Sequence, residues 1–180
     1  NLNGETVTII PDASDIHYHK TLFYWNARLV PNYGTIEVRM PCQQPPKDTL
    51  VTAALNLGLM ENLTEAEVFI NQYDWTVWKH LRTQAIRYAF EAKLPNGESI
   101  IPLIRQLLMI AKAGLEKRGL GEVPFLNPLF ERLEKRQSPA DVAIDIFKKE
   151  GMTGLLNAVS FTATTSAHSV IKPIQKALAK

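Results

Sequence analysis

The chain has 180 residues, 46% hydrophobic and 21% charged, with a formal net charge of +2. That length supports one domain whose core buries about 70% of its unfolded surface, and so small a charge gives no argument for nucleic acid or a membrane surface, neither of which is expected as partner. The lone Cys42 excludes an internal disulfide and suits a reducing, cytoplasmic setting, and no apolar run approaches the about 20 residues that span a bilayer.

In chain order, no signal peptide is read at the start, and Asn1 in place of Met is read as a processed or excised chain. Residues 5–10 (ETVTII) form an expected strand ended by Pro11. His17-Tyr18-His19 follows, and on a strand its two imidazoles share a face that suits a metal. No third ligand is recognisable nearby, which favours hydrogen-bonded histidines. Asp12 and Asp15 lie in an expected loop.

Two alternating runs come next. Phe23, Trp25, Ala27 and Leu29 make one apolar face, with Tyr24, Asn26 and Arg28 opposite. After a turn at Val30-Pro31-Asn32-Tyr33, residues 34–40 place Ile36, Val38 and Met40 on one side and Thr35, Glu37 and Arg39 on the other. Pairing Arg28 with Thr35 puts Asn26 across from Glu37 and Tyr24 across from Arg39. The polar face then gathers groups that suit a polyanion and a divalent cation. The simpler alternative is a wet face of an antiparallel pair. The apolar face, with Trp25, Val38 and Met40, is expected to pack on helices.

Beyond a proline-rich connector at 41–46, everything reads as helical. Residues 48–62 are apolar nearly all round and should be buried. Thr64-Glu65-Ala66-Glu67 resembles a capping box, and a longer helix is expected from Trp75 to Ala92. Leu94-Pro95-Asn96-Gly97 is a break. Ser99 is the expected cap of a helix to Lys117, closed by Gly119. Asn127-Pro128 and Ser138-Pro139 each pair a cap residue with proline at the first helical position, predicting helices over 128–136 and 139–150. Val142, Ala143, Ile146 and Phe147 share a face of the second, Gly151 should stop it, and 152–161 should form another. A weak amphipathic helix is expected from Ser169 to Lys180, broken at Pro173. Arginines and lysines on these helices read as solvated, Arg82 and Arg87 being the exceptions to watch.

The segment Phe23-Tyr24-Trp25-Asn26-Ala27-Arg28, followed by Pro31-Asn32-Tyr33-Gly34-Thr35-Ile36-Glu37-Val38-Arg39, resembles a signature of the ATP-dependent carboxylate–amine ligases. This is the bacterial glutamate–cysteine ligase family, whose fold is related to glutamine synthetase. Arg28, Gly34, Thr35, Glu37 and Arg39 match its pattern. The stretch from Trp75 to Leu94 resembles the next block of the family through Trp78, Arg82, Ala85, Arg87 and Ala92. That block usually has Gly after its Arg–aromatic pair, where this chain has Ala89 after Arg87-Tyr88. An Asp common after the family's strand is replaced by Met40-Pro41-Cys42-Gln43. The family's early Gly-x-Glu-x-Glu strand and central His-bearing strand are not recognisable.

The resemblance implies an ATP- and Mg²⁺-dependent ligase of glutathione biosynthesis, joining a carboxylate, commonly of glutamate, to an amine, commonly of cysteine, through an acyl phosphate. It implies Glu37 as a Mg²⁺ ligand, Arg39 and Arg28 as catalytic phosphate-side cations, and Thr35 beside them in the nucleotide site. The expected fold is α+β: a small antiparallel sheet over 1–46, the remainder of a catalytic sheet, and a helical bundle over 47–180, together one domain. The chain reads as the C-terminal half of such an enzyme, inactive alone, with the N-terminal half as partner. The alternative is a non-catalytic helical module that mediates oligomerisation, with homo-oligomers expected.

Overall fold

The computed structural model describes residues 27–30, 33–41, 44–45 and 48–160, apart from the side chains of Arg28 and Leu29. The expected strand at 5–10, His17 and His19, Trp25, Cys42 and the helix from Ser169 lie outside the described residues. The chain divides into two compact units, Asn1–Cys42 and Gln43–Lys180. The fold is α+β and mainly helical, with a minimal sheet.

In the first unit, β1 (Ala27–Val30) pairs antiparallel with β2 (Thr35–Val38). The β-branched Val30, Thr35, Ile36 and Val38 favour the extended chain, and Gly34 takes the positive φ of 61° at the end of the turn. The partners are Ala27–Val38, Arg28–Glu37, Leu29–Ile36 and Val30–Thr35. This register differs from the expected one by two residues. A slip of two leaves every side chain on its original face, because strand side chains repeat with period two.

The second unit opens with α1 (Val51–Glu61) and α2 (Leu63–Ile70). Against the expectation of a buried helix, α1 is enclosed on one side only: Val51, Ala54 and Gly58 are buried, whereas Met60 is exposed. It begins three residues later than expected, because Asp48 sits in a preceding turn with its carboxylate bound to Arg132 Nη2 at 2.8 Å. The capping box at Thr64 is not formed. The residue preceding α2 is Asn62, and its amide donates instead to the Ile110 carbonyl at 3.2 Å.

Next comes α3 (Trp75–Tyr88), which ends four residues before the expected stop. Ala89 adopts φ 46°, ψ −119°, which no helix continues through, and a 3₁₀ turn follows over Ala89–Glu91. The break at Leu94–Gly97 forms as a tight turn, closed by Gly97 N–H to Leu94 O at 2.9 Å and flanked by a bridge between Lys93 and Ser99.

The longest uninterrupted helix is α4 (Ile101–Arg118), about 27 Å at 1.5 Å per residue. Ser99 Oγ accepts the Ile101 N–H at 3.2 Å, and Gly119, left-handed at φ 68°, closes the other end as expected. A 3₁₀ turn (Val123–Leu126) leads directly into α5 (Asn127–Lys135), so Asn127 is a helical residue rather than a cap. Ser138 does cap α6 (Pro139–Val159): Ser138 Oγ accepts the Asp141 N–H, and the Asp141 carboxylate accepts the Ser138 N–H at 2.8 Å. Gly151, at φ 66° and ψ −164°, interrupts α6 where the sequence places a stop. Val142 and Phe147, on the shared apolar face, are nearly half exposed.

Two apolar clusters lie along α4. Phe69, Leu81, Ala92, Leu94, Ile100 and Leu103 join α2, α3 and the start of α4. Ala54, Ala111, Leu115 and Leu126 join α1, the end of α4 and the turn before α5. Between α1 and α4 the backbones meet. A Cβ on Gly58 would stand 2.9 Å from Ala111 Cα, and one on Gly114 would stand 2.9 Å from the Gly58 carbonyl carbon. Only glycine permits so close a crossing.

Candidate functional site

The hairpin brings three of the four expected site positions into one short ladder. Arg28 on β1 is the register partner of Glu37 on β2. Arg39, two residues beyond Glu37, lies on the same strand face, and its Nε donates to Glu37 Oε1 at 3.1 Å. Thr35, two residues before Glu37, is exposed beside the turn and partners Val30.

Burial on this strand runs opposite to the expectation. The Arg39 side chain is only 16% exposed and that of Glu37 42%, whereas Ile36, Val38 and Met40 are each about half exposed. Val38 and Met40 are therefore not packed into a core. Among the described residues the sheet has two strands, too little area to bury a face of its own.

An ion pair this accessible contributes about 0–1 kcal/mol. Stability is thus a weak reason for it. Its stronger effect is geometric: Glu37 occupies Nε and fixes the plane of the guanidinium, which sets the direction of a fork suited to phosphate or carboxylate. Neither residue is confined to this pair, since each has a further interaction.

A metal fits less well. Among the described residues no three His, Cys, Asp or Glu side chains cluster to hold an ion. Glu37 is a single carboxylate with one oxygen against a cation, whereas Mg²⁺ needs six oxygens in near-octahedral array. The described residues do not make a Mg²⁺ site by themselves.

The helical arginines also differ from expectation. Arg82 and Arg87 are exposed and form no ion pair among the described residues. The engaged ones are Arg118 and Arg132. Arg118 forks onto Glu122 through Nε at 2.9 Å and reaches Glu61 through Nη1 at 2.8 Å. The hydrogen bonds it donates to Glu122, then to Glu61, raise its already high pKa. Arg132 holds Asp48 and Gln44, each at 2.8 Å, with both charged side chains at most 15% exposed. The Arg118–Glu122 spacing of four is a local signal that was readable; the Arg132–Asp48 pair, 84 residues apart, left none. Trp78 serves structure: its indole donates to the Ile70 carbonyl at 2.8 Å and its ring lies 5.7 Å from Phe69.

The chain is similar to a Legionella pneumophila (strain Philadelphia 1) protein named "Putative glutamate--cysteine ligase 2", 29% identical over 135 residues. A protein of strain Corby named "Putative glutamate--cysteine ligase 2-1" is 28% identical over the same length. In both, the match covers 72% of this chain and 35% of the relative. The chain thus spans about a third of the length of the curated relatives it matches. No family model matches, and no solved structure matches. The similarity supports a ligase-like protein. No helix among the described residues is long and apolar enough to cross a membrane.

Proposed function

We propose that this chain contributes the β1–β2 hairpin and its helical unit to an ATP- and Mg²⁺-dependent carboxylate–amine ligase, with glutamate as the acid, cysteine as the amine and a cytoplasmic setting. The observation that carries the reading is the Glu37–Arg39 pair across from Arg28, on residues that match the ligase signature. In such a reaction a carboxylate oxygen takes the γ-phosphoryl group and ADP leaves. The amine nitrogen then attacks the acyl carbon and phosphate departs. Arg39, held by Glu37, orients and neutralises the phosphoryl oxygens, with Arg28 and Thr35 beside it. Glu37 is assigned one metal contact, with the other ligands from outside the described residues.

The test is ADP release dependent on both glutamate and cysteine, measured in a ligase assembled with this chain. Arg39→Lys keeps the charge but loses the fork; turnover is expected to fall about 100-fold or more with the melting temperature unchanged. Near wild-type turnover would reject the assignment. The 180-residue chain alone is expected to release no ADP, because its described residues lack the metal carboxylates. The non-catalytic reading, a helical interaction module, is favoured by the exposed mixed apolar and charged faces of α2 and α3.

A further inference from the structure

Two consecutive helices carry opposite charge on faces that nothing among the described residues covers. Between Trp75 and Tyr88, α3 contains Lys79, Arg82 and Arg87 and no carboxylate. Between Leu63 and Ile70, α2 contains Glu65 and Glu67 and no cation. None of these five forms an ion pair among the described residues.

The apolar residues between the charges are exposed too. Trp75 is 71% and Ile86 68% exposed on α3; Leu63, Val68 and Ile70 are more than half exposed on α2. Trp75, Lys79, Arg82 and Ile86 recur at spacings of four, three and four, which aligns them as one seam of the helix. Leu63, Glu67 and Ile70 recur at four and three on α2. Each seam therefore has apolar ends and a charged centre, cationic on α3 and anionic on α2.

We propose that this chain pairs with a second copy of itself through these helices, α2 of each protomer lying on α3 of the other. Reciprocal contact of two unlike patches is what a two-fold axis provides. Glu67 meets the Lys79–Arg82 centre, with Glu65 on its flank, while Leu63 and Ile70 lie just inside the apolar ends. The α2 seam spans about 10 Å and the α3 seam about 16 Å at 1.5 Å per residue, so α2 covers the charged centre of α3. Antiparallel pairing of α3 on α3 is the poorer solution. It stacks Trp75 on Ile86 at both ends but sets Lys79 against Arg82, and like charges across an interface are strongly disfavoured. Tryptophan and arginine, both present on the α3 seam, are also residue types in which interface energy concentrates.

The experiment uses two charge-reversed versions of the full 180-residue chain. One carries Lys79→Glu with Arg82→Glu, the other Glu65→Lys with Glu67→Lys. All four sites are exposed, and circular dichroism confirms the fold of each. By sedimentation velocity the wild type should dimerise, more weakly at 0.5 M than at 0.05 M NaCl. Each variant alone should associate at least about tenfold more weakly. An equimolar mixture should recover wild-type affinity, because every like-charge contact becomes an opposite-charge one. A wild type that stays monomeric at 100 µM, variants that associate like the wild type, or a mixture that does not recover would each overturn the proposal.

Discussion

Ala89→Gly should stabilise this protein, although the same change elsewhere in a helix does the reverse. Ala89 follows α3 with φ 46° and ψ −119°, a conformation that L side chains avoid and glycine does not. Holding a non-glycine residue in such a region costs about 1–3 kcal/mol. Glycine removes that strain but adds about 0.4–1 kcal/mol of unfolded-state entropy, so the net gain is about 1 kcal/mol. For a chain of this size that raises the melting temperature by about 2–4 °C. The control is Ala85→Gly, one turn earlier, exposed and in regular helix; it should lose about 1 kcal/mol. Urea denaturation followed by far-ultraviolet circular dichroism measures both. If Ala89→Gly destabilises as Ala85→Gly does, the left-handed conformation at residue 89 is wrong.

Gly58→Ala should destabilise by about 1–3 kcal/mol in urea, against the usual small gain for such a change in a helix, because its Cβ meets backbone of α4. A neutral result would refute the close crossing. Arg132→Ala should cost about 2–4 kcal/mol by leaving Asp48 without its cation. Adding Asp48→Asn to that variant should recover part of the loss, and strict additivity would deny the pair. Asp141 is held below the ordinary carboxylate range chiefly by the Ser138 hydroxyl, then by its N–H. That contribution is present above the unfolded pKa near 3.8 and is lost as pH falls through the lower folded value. Wild type should therefore exceed Asp141→Asn in stability at pH 7 and converge with it in strong acid. Ser138→Ala should cost about 1 kcal/mol at pH 7.

What the sequence disclosed was what is decided locally. Ser138-Pro139 announced a helix start because the cap, the proline and Asp141 fall within four residues. Gly119 and Gly151 announced stops because each supplies a positive φ at one position. Asn127-Pro128 carried the same signal as Ser138-Pro139 and misled. The preceding 3₁₀ turn already delivers the chain in helical geometry, so no side-chain cap is needed. In the hairpin, alternation fixed which residues share a face, and the register error of two residues left that sharing intact. Burial was the part alternation could not decide, since it depends on what lies against each face.

The arginines carry the same argument from pattern into function. Arg82 and Arg87 stood out because they fall in a block that resembles a family, yet among the described residues they meet no carboxylate. Arg132 stood out in no pattern, yet it ties Asp48 and Gln44 to α5. A helix surface offers each cation the same local sequence context whether it ends in solvent, in a partner or in a clamp; the difference lies in elements tens of residues away. A strand pair is more restrictive. Glu37 and Arg39, two apart, share a face, which puts them in reach of the 3.1 Å bond that they form. A pattern of alternation therefore carries geometric content in the hairpin, whereas on α3, whose cations form no ion pair among the described residues, the sequence pattern alone carries none.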